Sequence, residues 1–174
     1  MDFKRNISKV IFFIGVAVLF SSFKFSHWKF NEKYTTIIYK SITEVFNSTE
    51  FLVQKFIESE YYFYEIKEDD IVLGYFVIAQ APSKFHQFDH YIIFNSEAEI
   101  LKIEILKYRE NYGAEMCSKK WLENFIKLPT NDYVEYNRKV DGISGSTISV
   151  ASLKKDVFNL SNVLKKSIDE IEKN

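Results

Sequence analysis

"YYFYEIKEDDIVLGYFVIAQ", residues 61–80, decides the fold. Two runs rich in aromatic and β-branched residues flank the acidic turn Lys67–Asp70, which is the pattern of a β-hairpin. Gly74 interrupts the second run and marks a bulge or a close approach. Pro82 ends that run. A second pair follows: "FDHYIIF" (88–94) and "AEILKIEILKY" (98–108) lie on either side of Asn95–Ser96, and Ile100, Ile103 and Ile105 favour strand over helix.

Outward from these hairpins the period changes. Between Asn31 and Glu60 the apolar residues Ile37, Ile38, Ile42, Val45 and Phe46, then Phe51, Leu52, Phe56 and Ile57, recur at helical spacing. Asn47 and Ser48 break the series, so two helices are predicted. Downstream, Trp121, Leu122, Phe125 and Ile126 share one face of a short helix that Pro129 stops. Val150, Leu153, Val157, Leu160, Val163, Leu164 and Ile168 predict a terminal amphipathic helix. With no βαβ alternation and no internal repeat, the expected fold over residues 29–174 is α+β, an antiparallel sheet packed with helices.

Residues 1–28 read as an export signal. Lys4, Arg5 and Lys9 precede the apolar run Val10–Phe20, which continues to Phe23. At about 1.5 Å per residue Val10–Phe23 spans roughly 21 Å, short of a hydrocarbon core of about 30 Å. Extended from Ile7 to Phe25 with Trp28 at the interface, the same segment forms a membrane-anchoring helix, and the bulky residues around Ser21 and Ser22 suit cleavage poorly. The expectation is a chain on the extracytoplasmic face of the membrane if anchored, or a periplasmic one if cleaved.

The 174 residues carry 23 basic and 24 acidic side chains, so no basic surface calls for nucleic acid. A single cysteine, Cys117, permits neither an intrachain disulfide nor a thiolate metal cluster and reads as a structural thiol. In "HQFDH" (86–90), strand alternation puts His86 and His90 on one face and Asp89 on the other, which argues against a metal site. Asp69–Asp70 suits a turn, and no nucleophile–base pair is spaced for catalysis, so no catalytic residue is assigned.

Chemistry concentrates in "DGISGSTIS", residues 141–149, in a chain with only 5 glycines. Gly142 and Gly145 permit positive φ and close approach, while Ser146, Thr147 and Ser149 stand where the terminal helix has unpaired N–H groups. Such a helix end accepts an anion without a basic side chain. The same residues also make a plain turn and helix cap.

This segment resembles the flavin-attachment segment of the FMN-binding domain family, which includes flavin-carrying subunits of sodium-pumping NADH:quinone oxidoreductases and Rnf-type complexes. The family pattern runs Asp, two variable residues, Ser, Gly, Ala, Ser or Thr, a variable residue, Thr; here those places hold Asp141, Ser144, Gly145, Ser146, Thr147 and Ser149. Ser146 replaces Ala, and Ser149 replaces the Thr whose hydroxyl carries FMN in a phosphoester. The resemblance extends from Gly74 to Leu164. It includes a Glu-x-x-Gly loop at Glu110 and Gly113, followed by the aromatic helix with Trp121, Leu122 and Phe125. It implies that Glu110, Tyr112 and Gly113 border the flavin, with Tyr108 or Tyr112 stacking on it. It implies further that the partners are FMN, a flavin transferase and a membrane redox protein. The expected function is an exported electron carrier with FMN on Ser149; the alternative is an exported binding or scaffold module that holds FMN non-covalently or not at all.

Overall fold

The computed structural model describes residues 32–58, 61–126, 128 and 133–173; the export signal or anchor expected over residues 1–28 lies outside them. Among the described residues no helix is long and apolar enough to cross a membrane.

The chain runs α1 (Glu32–Phe46), β1 (Leu52–Glu58), β2 (Tyr62–Glu68), β3 (Ile71–Pro82), β4 (Gln87–Asn95) and β5 (Ile100–Lys107). A 3-10 turn (Ala114–Cys117), α2 (Lys119–Leu122) and a second 3-10 turn (Glu123–Phe125) come next, then α3 (Tyr133–Lys139) and α4 (Thr147–Glu172). The strands form one antiparallel sheet in the order β1-β2-β3-β4-β5. The α+β expectation therefore holds for the described chain.

The turn of the opening hairpin is two residues long, with φ 46° at Asp69 and 67° at Asp70. Positive φ at both central residues matches the right-handed twist of the flanking strands. Gly74 fulfils both roles expected of it. The β2–β3 register shifts between Ile66 and Lys67, and a Cβ on Gly74 would lie 2.1 Å from the Phe94 carbonyl oxygen and 2.8 Å from Phe46.

One expectation fails: residues 51–57 do not form a helix. Asn47 ends α1 at φ 52°, a left-handed position that asparagine tolerates, and residues 52–58 pair with β2, Leu52 opposite Lys67 and Glu58 opposite Tyr62. Helical spacing over so short a window is ambiguous, and the ladder of a partner strand outweighs it. The "SKKWLENF" helix is shorter than expected, one turn of α-helix between two 3-10 turns, but its face is as expected: Trp121, Leu122 and Phe125 are buried. The helix α3 was not anticipated; seven residues with one fully buried ring, Tyr136, give no periodic signal.

The sheet is covered on both faces, which explains unbroken apolar runs such as "FVIA" and "YIIF" in antiparallel strands. On one face α1 packs Ile38 and Ile42 against Tyr64, Ile66, Phe76, Ile78, Tyr91 and Ile93. On the other, Val150, Leu153, Val157, Leu160 and Leu164 of α4, with Trp121, Leu122, Phe125 and Tyr136, cover Phe63, Val77, Ala79, Phe88 and Ile92. The α4 layer carries the segment 141–149 at its N-terminal end.

Buried Asp89 fastens the α1 face. It accepts hydrogen bonds from Arg109 (2.7 and 3.1 Å), Tyr34 (2.5 Å) and Gln80 (2.7 Å). Burial pushes its carboxyl up, but these hydrogen bonds and the guanidinium charge outweigh it, leaving the carboxyl below its ordinary value. Stability from this group is thus present above about pH 4 and is lost as pH falls towards the depressed native value. Urea unfolding at pH 7 and pH 3 is expected to show a larger acid loss for the parent than for Asp89→Asn; equal losses would refute this assignment.

Candidate functional site

The segment 141–149 enters between two anchors. The Trp121 indole N–H donates to the Asp141 carbonyl at 3.0 Å. Lys154, buried on α4, donates its ammonium to the carbonyls of Val140 and, at 3.0 Å, Asn137. Burial pushes this ammonium below its ordinary value, and the charge of Asp141 opposes the shift. Neither anchor was expected at the site. Trp121 was assigned to the apolar face of its short helix and Lys154 was not singled out; the packing of α4 against α3 turns the lysine inward.

Of the two glycines only Gly145 takes the left-handed conformation, at φ 81°. Gly142 instead lines a cleft of about 360 Å³ with Asn137, Ile143, Ser144, Thr147, Val150, Ala151 and Lys154. Ser146 is the N-cap of α4, yet its side chain caps nothing: its hydroxyl is buried with no hydrogen-bond partner. The first-turn N–H groups of a helix have no intrahelical acceptor, and the expected side-chain cap is not made here.

Ser149 lies on the other side of this helix end, 3 % exposed. Its Oγ is 2.5 Å from Ser83 Oγ and 3.2 Å from the Tyr108 hydroxyl. The Tyr108 hydroxyl also donates to the Tyr112 carbonyl at 3.1 Å, and either oxygen can be the donor between Tyr108 and Ser149. One turn on, Ser152 donates to the Pro82 carbonyl and binds the end of β3 to α4.

Two loops therefore meet over Ser149, residues 83–86 and 108–113, and Glu110 fastens them. Its Oε1 accepts the backbone N–H groups of Phe85 at 2.8 Å and His86 at 3.0 Å. These bonds, that from Phe85 foremost, hold its carboxyl below the ordinary carboxylate range. Gly113 was expected to approach a ligand, but the structure gives it another neighbour. At φ 77°, its missing Cβ would sit 2.3 Å from Ser146 Cβ, so Gly113 seats the loop on the N-cap of α4. Gly113→Ala is expected to cost about 1–3 kcal/mol in urea unfolding through backbone strain alone; an unchanged midpoint would show that the loop moves freely.

Tyr108 and Tyr112 separate in role. Tyr108 spends its hydroxyl on the Ser149 contact and its ring on an edge contact with Phe88, centroids 6.0 Å apart, whereas Tyr112 is 80 % exposed. The remaining polar residues of the loops disperse. Asp89 faces α1, while His90 faces α4, where its Nε2 lies 3.0 Å from Asp156. Among the described residues no three His, Cys, Asp or Glu side chains gather as a metal site. Burial raises the Cys117 thiol to about 11, so at neutral pH it is protonated and packs as a structural thiol.

The donor set fits a phosphate: an open helix N-terminus, an orphaned buried hydroxyl at its cap, and a lysine lining the adjacent cleft. Fold and site define a small α+β domain that offers an anion the end of a long helix beneath two fastened loops. Residues 87–160 match the family model of the FMN-binding domain. That segment belongs to the FMN-binding domain family, and FMN is its cofactor. No curated protein matches the chain. The match begins at β4, so Ser83, which touches Ser149, lies just outside it.

Proposed function

We propose that this protein is an exported electron carrier that holds FMN in a phosphoester on Ser149. The family match supports FMN; the observation that carries the residue is the Ser149 hydroxyl, held by Ser83 and Tyr108 beside the open end of α4. FMN supplies the redox chemistry, and the chain supplies attachment and orientation. Thr147, Ser146, Gly145, Ser144 and Asp141 shape the phosphate end; Glu110, Tyr112 and Gly113 border the ring.

Attachment needs an activated flavin. In the proposed step the Ser149 Oγ–P bond forms as the phosphoanhydride P–O bond of a flavin dinucleotide breaks. The Ser149 proton passes to solvent, and a nucleoside monophosphate leaves. A flavin transferase catalyses this step, and a membrane redox protein exchanges electrons with the loaded chain. Lys4, Arg5, Lys9 and the run Val10–Phe20 support export, with anchoring on the extracytoplasmic face. Outside the cytoplasm an ester prevents loss of the cofactor by dilution.

The burial of Ser149, 3 % exposed, favours a second reading in which the same domain holds FMN non-covalently as a binding or scaffold module. The mass of the full chain made with an active flavin transferase separates the two. A gain of one esterified FMN that survives denaturation supports the tether; a yellow chain that loses its colour on denaturation supports the second reading.

A further inference from the structure

Nine large apolar side chains among the described residues are well exposed, and three of them ring one place: Phe85 (74 %), Tyr112 (80 %) and Ile148 (53 %). They come from three separate segments, each tied to Ser149. Ile148 precedes it on the first turn of α4. Ser83, two residues from Phe85, meets its Oγ at 2.5 Å, and Tyr108, whose hydroxyl holds the Tyr112 carbonyl, meets it at 3.2 Å. Scattered exposed apolar residues need no explanation, but a cluster on fastened loops does. The fastening is local: Glu110 takes the backbone N–H of Phe85 itself, so the loop is fixed while the ring stays exposed, with the Lys84 ammonium over it, 5.0 Å from its centroid.

We propose that Phe85 is a flavin-holding residue of this chain: loop 83–86 presents its ring to one side of the isoalloxazine and loop 108–113 presents Tyr112 to the other. This rests on the reading that FMN sits at Ser149. The ring system of a flavin is planar and largely apolar, so two exposed aromatic side chains are its natural cover, and both lie next to the residues that touch the attachment hydroxyl. Glu110 is a positioning residue in this arrangement. Its carboxylate, at the border of the ring, sets the spacing of the two loops through the Phe85 and His86 N–H groups.

The test uses the full chain loaded with FMN, with the parent, Phe85→Ala, Phe85→Trp and Glu110→Gln compared by mass, by flavin emission and by quenching with iodide. Phe85 is exposed, so its replacement does not hollow the core. Stacked against the Tyr112 phenol, flavin emits weakly. Phe85→Ala is expected to keep the parent's mass gain while emission rises several-fold and iodide reaches the ring, with Phe85→Trp restoring the parent's values and Glu110→Gln changing emission in the same direction as Phe85→Ala. Emission and quenching unchanged in Phe85→Ala would overturn the proposal. If no variant gains mass, the tether itself falls, and titration with FMN decides Phe85 separately. Binding weakened about tenfold in Phe85→Ala upholds the clamp, and equal affinity overturns it.

Discussion

Ser149→Ala is expected to remove the flavin mass completely from the chain made with an active transferase, while Ser149→Thr keeps it. The hydroxyl is the only atom through which residue 149 can form the ester, so the effect is all or none. Thr147, two residues earlier and exposed beside the cleft, offers the competing hydroxyl. Loss of the mass in Thr147→Ala together with its retention in Ser149→Ala would move the attachment to the cleft side of the helix. Folding does not confuse the result, because alanine at 149 takes one partner from the Ser83 and Tyr108 hydroxyls and leaves each of them hydrogen-bonded. Each of them has another partner: Tyr108 the Tyr112 carbonyl, and Ser83 the Glu110 carboxylate.

The second large effect is on stability. Gly74→Ala is expected to cost about 3 kcal/mol or more, because the new methyl meets the backbone oxygen of Phe94 at 2.1 Å and the Phe46 ring at 2.8 Å. The first of these cannot yield without parting β3, the central strand of the sheet, from β4. The second presses on α1, so both layers are disturbed at once. For a chain of this size the loss corresponds to a fall in melting temperature of roughly 6–12 °C. A melting temperature within a degree of the parent would mean that the strands pass this point with more room than the structure gives them.

The site divides along the same line as the fold. Asp141, Ser144, Gly145, Ser146, Thr147 and Ser149 could be proposed from the sequence because the loop chemistry is contiguous, and Glu110, Tyr112 and Gly113 because resemblance marked their loop. Their partners were not legible. Ser83 is 66 residues from Ser149, and nothing in "APSKF" distinguishes it from a surface serine until β3 and α4 are packed together. The open cap at Ser146 was likewise invisible, since a serine before a helix ordinarily predicts the opposite, a capped one.

By itself the sequence determined the two hairpins, the acidic turn, the terminal helix and the place of the glycine- and hydroxyl-rich loop before it, because each is written in local periods or in a contiguous motif. Tertiary structure alone decided that residues 52–58 are a strand, that α1 covers the second face of the sheet, and that Lys154 and Trp121 hold the entrance to the segment. It also decided that Gly113 seats its loop on Ser146. These features depend on partners far apart in the chain, and the free energy that fixes them comes from ladders and buried surfaces that form only when the layers meet.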